Sequence, residues 1–191
     1  MTKAVPDAMD ALTKAGDTVE SLMLRDVHGG AVERDDLLER PLAVPLVRYY
    51  GCMPCRDFLI QLEAARPTLE TAGVGVVGVG GAADYQARHL MDHGVGFPLR
   101  LDPDHALYEA LDVRRIHRWR LLWPRTWWNY LRAARRARQG RITAHPLQAP
   151  GFVILDSDRT VRFLYRGRTL GDYPPIAAIV AAATGLGRAA E

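Results

Sequence analysis

Val47-Arg48-Tyr49-Tyr50-Gly51-Cys52-Met53-Pro54-Cys55-Arg56 is the stretch that decides how this chain reads, and it carries both cysteines of the protein. An apolar run, Leu42 to Tyr50, leads into it, and an amphipathic stretch, Asp57 to Thr71, leads out. A buried strand that turns sharply into a helix puts both thiols in the helix's first turn. Phe58, Leu59, Leu62, Ala65 and Leu69 fall near helical spacing and mark the face turned inward. The first turn of a helix leaves backbone N–H groups unpaired and its end partly positive, and both favour a thiolate. Lowering a thiol pKa from about 8.5 to about 7 is worth about 2 kcal/mol. A helix end supplies ~0.3–1 kcal/mol, rising to ~2 in partly buried geometry. Arg48 or Arg56 supplies the remainder if either side chain points at the sulfur. The first cysteine, Cys52, is expected to be the more exposed and to feel these effects most. Residues three apart in a helical turn are near enough to close a disulfide. Pro54 is tolerated there because its missing N–H has no helical partner to lose. The spacing therefore predicts a redox-active dithiol.

Two other readings compete: an inert buried pair, or half of a zinc site. Structural zinc wants four ligands, and no second cysteine pair exists. His89 and His93 are four apart on an expected helix, but no Glu lies between them, and a solvated helix face accounts for them. Gly73-Val74-Gly75-Val76-Val77-Gly78 spells G-x-G-x-x-G, yet it opens a strand after a helix rather than the reverse, which a dinucleotide site requires. No cofactor is expected.

The 191 residues fit one domain. No run reaches the roughly eighteen apolar residues of a membrane span. Met1 to Gly16 contains Lys3, Asp7, Asp10 and Lys14 without an apolar segment, which is unlike a secretory signal, so a cytoplasmic protein is expected. A close Cys pair in that setting points to redox or metal chemistry rather than a structural disulfide. The net charge of +3 hides an asymmetry. Arg114 to Arg141 holds ten arginines, all four tryptophans and no acidic residue, so the remainder is net acidic. Pro124 is expected to start a helix that runs to Gln139 and stops at Gly140. Trp127, Tyr130, Leu131 and Ala134 make its apolar stripe. Either that stripe packs on the domain and the arginines are solvated, or Arg132, Arg135 and Arg136 contact an anionic substrate, an anionic partner or a membrane surface. Nucleic acid is the least expected partner, because no nucleic-acid motif accompanies the arginines.

Ala4 to Ala15 reads as a terminal helix, making residues 1–15 a helical extension. Ser21 to Arg25 and Ala31 to Glu33 flank His28-Gly29-Gly30 as a hairpin. Val74 to Val79 and Phe97 to Leu101 are expected strands, and Ala82 to Asp92 a helix. Asp102-Pro103-Asp104 starts the next helix, which runs to about Leu111. Phe152 to Leu155 and Thr160 to Arg166 form a last hairpin, and Pro175 to Thr184 a closing helix. Short buried strands alternating with helices imply a mixed sheet covered on both faces. With the Cys pair after the first long buried strand, the order suggests a thioredoxin-like α/β/α sandwich over residues 16–191. An N-terminal hairpin precedes it, and a helical insertion at about 114–146 interrupts it. In thioredoxin-like domains a proline before the last hairpin, commonly cis, packs against the disulfide, and Pro150 has that place.

From about Gly16 to Thr184 the sequence resembles the peroxiredoxin-like (alkyl-hydroperoxide-reductase/thiol-specific-antioxidant-like) proteins, in the branch that includes prostamide/prostaglandin F synthases. The marks are Arg48 before Gly51-Cys52-x-x-Cys55-Arg56, and Leu101-Asp102 leading to Leu107-Tyr108 and Leu111. The Trp- and Arg-bearing segment ending near Gly140, and Gly171-Asp172-Tyr173, complete them. The resemblance implies a thiol-dependent oxidoreductase in which Cys52 attacks, Cys55 resolves and Arg48 stands beside them. The chain departs from the family at Tyr49, where a second basic residue is common, and at Pro150-Gly151, where Gly-Gly is common. These departures lean toward disulfide exchange. A peroxide or endoperoxide oxidant is the alternative, and a non-enzymatic redox-sensing or binding module is a third reading. The partners implied are a thiol reductant, either a thioredoxin-like protein or a small thiol, and a small-molecule or protein disulfide or peroxide.

Overall fold

The apolar runs become strands. In a computed structural model, which describes residues 13–20, 23–33, 37–81, 83–143 and 145–189, Met23–Arg25 (β1) and Ala31–Glu33 (β2) pair antiparallel as the first hairpin. Leu42–Val47 (β3) is central, with all six residues buried, as a strand covered on both faces requires. Gly75–Val76 (β4) and Gly78–Gly80 (β5) run parallel to β3, and Leu99–Leu101 (β6) runs parallel to β5. Gly151–Leu155 (β7) lies antiparallel on the other side of β3, and Val161–Arg166 (β8) closes that edge. The sheet order is β2-β1-β6-β5-β3-β7-β8, with β4 paired to β3.

Five helices accompany these strands among the described residues: Met53–Thr71 (α1), Asp84–Asp92 (α2), Ala106–Ala110 (α3), Pro124–Ala133 (α4) and Ile176–Ala189 (α5). Two apolar clusters fill the two sides of the sheet. One joins Phe58, Leu59, Leu62 and Leu69 of α1 to Phe97, Phe152 and Ile179. The other joins Leu46 and Val153 to Leu24, Leu107, Leu111 and Val161. The mixed sheet between helices is the thioredoxin-like α/β architecture expected from the sequence.

Several boundaries differ from expectation. The terminal helix expected over Ala4 to Ala15 falls largely outside the described residues, and residues 13–15 are not helical. The strand expected over Val74 to Val79 breaks at Val77 into β4 and β5. Asp102 does cap a helix, but from a turn upstream. Its carboxylate accepts from the N–H groups of Ala106 and Leu107 at 3.0 and 2.9 Å, and Asp102-Pro103-Asp104 forms a turn rather than the first helical residues. Helix α4 stops at Ala133, six residues short of Gln139, and a 3-10 turn, Arg118–Leu122, precedes it. The chain from 137 to 143 has no regular structure and crosses the loop that holds the cysteines.

Candidate active site

Strand β3 ends at Val47, and Arg48 to Gly51 carry the chain into α1. Cys52 is the N-cap of α1 and Cys55 lies in its first turn. Both are free thiols. Neither is open to solvent: Cys52 is 0% exposed and Cys55 1%, so the expected exposure of Cys52 does not hold. The insertion covers them. Gly140 N–H donates to the Gly51 carbonyl at 2.7 Å. Gln139 Nε2 donates to the Tyr49 hydroxyl and the Gly51 carbonyl, each at 3.1 Å, while its Oε1 accepts from Met53 N–H at 3.1 Å. Gly51 has to be glycine for this closure. A Cβ there would sit 2.6 Å from Gln86 Nε2 and 2.7 Å from the Arg141 carbonyl.

Arg48 is buried beneath this cover. Its Nη2 lies 3.4 Å from Cys52 Sγ and donates to the hydroxyls of Tyr130 at 2.9 Å and Tyr49 at 3.2 Å. Of the two arginines expected at the sulfur, Arg48 is there and Arg56 is not. Arg56 Nη1 donates to the Arg138 carbonyl at 3.1 Å and ties α1 to the insertion. Burial of Arg48 opposes its charge, but Cys52 and Cys55 beside it raise its pKa above the usual guanidinium range. The two thiols sit three residues apart at the start of α1 and influence each other's ionisation. Burial, then the Cys55 thiol and its charge, push Cys52 well above an ordinary thiol. Burial also opposes ionisation of Cys55. The Cys52 thiol, the charge of Arg48 and the Tyr173 hydroxyl outweigh it and bring Cys55 down to about 6. The sequence assigns the low pKa to Cys52. In the structure Cys55 is the lower of the pair, with the Cys52 thiol and the charge of Arg48 favouring its thiolate.

Tyr173 stacks on Phe58 with ring centroids 4.0 Å apart, and its hydroxyl donates to the Leu46 carbonyl at 3.4 Å. A cavity of about 120 Å³ beside it is lined by Pro54, Phe58, Asn129, Gly171 and Tyr173. Gly171 has φ +71°, and a Cβ there would lie 2.5 Å from Pro54 Cβ, so only glycine lets this turn approach the first turn of α1. Pro150 is buried with a trans peptide, unlike the cis form common at this place, and its carbonyl accepts from Gly167 N–H at 2.9 Å. The pairing of Leu46 with Gly151 puts it beside the end of β3, one strand from the thiol loop.

The basic residues of the insertion divide. Arg136 is ion-paired at 3.2 Å with the buried Asp57 of α1 and so faces the domain. Arg132 and Arg135 are exposed. Sequence reasoning passes over Tyr130, Gln139 and Tyr173 as site residues. Tyr173 has a signal, its place in the Gly171-Asp172-Tyr173 mark, whereas Tyr130 and Gln139 reach the site only because the insertion folds back. Among the described residues no group of three or more His, Cys, Asp or Glu side chains could hold a metal ion.

Residues 61–169 match the AhpC/TSA antioxidant enzyme family. The match begins after Cys55 and covers more than half of the chain. A thioredoxin-like protein, AAED1, chloroplastic, of Arabidopsis thaliana is 28% identical over 98 residues, half of this chain, and the stretch spans only 40% of that relative's length. Among solved structures, peroxidoxin BcpB of Mycobacterium tuberculosis superposes with a TM-score of 0.65 at 16% identity, over 93% of this chain and 98% of that one. Peroxiredoxin Q of Xanthomonas campestris gives 0.61 at 17%, over 94% and 96%. These similarities establish the fold and the family, and do not extend to the prostamide/prostaglandin F synthase branch. The chain belongs to the AhpC/TSA antioxidant enzyme family.

Proposed function

We propose that this protein is a thiol-dependent oxidoreductase whose Cys52–Cys55 pair cycles between dithiol and disulfide. The observation that carries the reading is the sulfur pair itself, two free, buried thiols three residues apart, with the Arg48 guanidinium 3.4 Å from Cys52 Sγ. A small hydroperoxide fits this site better as oxidant than a protein disulfide does. The thiols are enclosed, and Arg48 with the Tyr49 and Tyr130 hydroxyls can polarise an O–O bond. This departs from the sequence reading, which leans to disulfide exchange. That second reading keeps support from the Cys-x-x-Cys at the helix N-terminus, which suits thiol–disulfide exchange equally.

In the peroxide cycle Cys55 carries the negative charge at rest and takes the Cys52 proton as Cys52 sulfur attacks the terminal oxygen. The O–O bond breaks, Cys52 becomes a sulfenic acid, and the departing alkoxide takes the proton from Cys55. Cys55 thiolate then attacks Cys52 sulfur, the disulfide forms, and hydroxide leaves, taking a proton from solvent to become water. An external thiol pair, from a thioredoxin-like protein or a small thiol in a reducing compartment such as the cytoplasm, restores both thiols and is itself oxidised.

Stopped-flow fluorescence of the reduced protein against cumene hydroperoxide and against oxidised glutathione tests this. The peroxide is expected to react faster. Cys52→Ser abolishes oxidation, and Cys55→Ser halts at a sulfenic acid that dimedone traps. The reactive form is the deprotonated one, so the rate rises with pH through the value near 6 and levels off above it. Arg48→Gln moves that rise toward the ordinary thiol range, slowing the reaction at pH 7 by about tenfold or more. Faster reaction with the disulfide would replace the peroxide reading with disulfide exchange, and inertness to both oxidants would remove the redox reading.

A further inference from the structure

Helix α4 is folded with its polar side inward. Its buried residues are Thr126, Asn129 and Ala133, with Tyr130 half-buried beside them. They repeat at three and four, which makes one face, and that face meets the thiol site through Tyr130 and Arg48. Of the stripe Trp127, Tyr130, Leu131 and Ala134, which one reading packs on the domain, Tyr130 turns inward while Trp127, Leu131 and Ala134 are exposed. Trp119, Leu122, Trp123, Trp127, Trp128 and Leu131 are each between 50% and 68% exposed. They include every tryptophan of the protein, and all lie within thirteen consecutive residues. Together they present on the order of 700 Å² of apolar surface, more than the largest patch of an ordinary monomer.

Charge selects the occupant. No acidic residue lies between Asp112 and Asp156, and Arg118, Arg132 and Arg135 stand exposed among the tryptophans. Beside Trp123 the surface falls into a cleft of about 870 Å³ whose walls hold Arg120 and Arg168 together with Arg125 and Arg166, the last two ion-paired to Asp172 at 3.3 Å and Asp112 at 3.6 Å. The Arg120 guanidinium lies over the Trp123 ring at 5.4 Å. Thr169, 1% exposed, lines the same cleft, and its hydroxyl has no hydrogen-bond partner among the described residues. A second copy of the chain would bring like charges face to face across the patch. An anionic lipid surface matches both halves, because tryptophan rings settle at the headgroup level while arginines snorkel to phosphates. Among the described residues no helix is long and apolar enough to cross a membrane, so the contact would lie in the surface plane.

We propose that the Arg118–Ala133 segment docks this protein onto anionic phospholipid surfaces, Trp119, Trp123, Trp127 and Trp128 entering the interface and the surrounding arginines meeting the phosphates. The inference does not depend on the redox reading. The test is flotation of the full-length protein with vesicles of phosphatidylcholine alone, or with roughly a third of phosphatidylglycerol. Binding is expected to the anionic vesicles, with a blue-shifted tryptophan emission that brominated lipid quenches. It should fall steeply with salt. The Trp127→Ala/Trp128→Ala/Leu131→Ala variant should lose affinity by about tenfold or more at an unchanged melting temperature and unchanged turnover of a water-soluble oxidant. Arg118→Gln/Arg135→Gln should weaken binding and flatten its salt dependence. Quenching by brominated lipid needs no variant, so it decides even if the triple variant misfolds. The proposal fails if folded wild-type protein ignores anionic vesicles or binds neutral ones equally. It fails too if the emission shift appears without lipid on self-association, which would assign the patch to a second copy.

Discussion

Helices α1 and α4 each carry a proline in the first turn, Pro54 and Pro124, and each has distinct faces, yet they turn opposite kinds of face to the domain. α1 buries Phe58, Leu59, Leu62 and Leu69, with the Arg136-paired Asp57 beside them. α4 buries Thr126 and Asn129 and leaves Trp127, Trp128 and Leu131 in water. Area burial, at about 25 cal/mol per Å², sets the orientation of α1. α4 is oriented by named polar links. Asn129 Nδ2 donates to the Leu170 carbonyl at 2.9 Å, Thr126 Oγ1 to the Arg120 carbonyl at 2.7 Å, and Arg48 to Tyr130. A helix placed by the core hides its large apolar side chains, whereas a helix placed by a site can display them.

The largest expected effect is on stability. Leu62→Ala, at a fully buried position, should lower the unfolding free energy by about 2–5 kcal/mol. Trp128→Ala, which removes a larger side chain, should change it by no more than about 0.5 kcal/mol. Urea unfolding of the two variants side by side checks the pair. A Trp128→Ala cost like that of Leu62→Ala would break the comparison, because the tryptophan would then belong to a core.

Asn129→Ala comes next, at about 1–3 kcal/mol, because it leaves the buried Leu170 carbonyl without its donor. Asn129→Leu should be no better tolerated, although leucine is the stronger helix former. Equal stability of Asn129→Leu and wild type, again by urea unfolding, would show that α4 could be held by apolar packing after all.

The same contrast explains what the sequence could reveal. The hairpin, β3, α1 and β7–β8 are legible because each announces itself by an apolar pattern whose buried side the core decides. Cys52, Cys55 and Arg48 are legible as a site because they sit on those elements. α4 shows a pattern equally well, but the pattern names two faces without saying which one turns inward, and of the stripe Trp127, Tyr130, Leu131 and Ala134 only Tyr130 turns toward the domain. Its length is misread because nothing local shows that Gln139 and Gly140 leave the helix to bond Gly51. The burial of both thiols, and the transfer of the low pKa from Cys52 to Cys55, follow from that cover and from Tyr173, which arrive from residues 75 or more away along the chain.

The smallest effect concerns how the cover opens. Both thiols are enclosed, so any reagent reaches them through a rearrangement, and the two helices offer two routes. One lifts the 137–141 segment that follows α4. The other unwinds the first turn of α1. Gln139 separates them. Its amide makes three hydrogen bonds to the thiol loop, at Met53, Tyr49 and Gly51, but it sits at the surface, where each is worth less than a buried one. Gln139→Ala should therefore cost about 1 kcal/mol of the closed state, with little change in the melting temperature. If the 137–141 segment is the gate, alkylation of the cysteines by iodoacetamide, followed by intact mass at neutral pH, should accelerate about fivefold through the larger open population. Met53 N–H loses its partner in the same variant, but the α1 route is limited by the burial of Phe58 and Leu59, which the substitution leaves untouched. An unchanged alkylation rate would therefore place the gate in α1, and the helix that the core holds would turn out to be the one that moves.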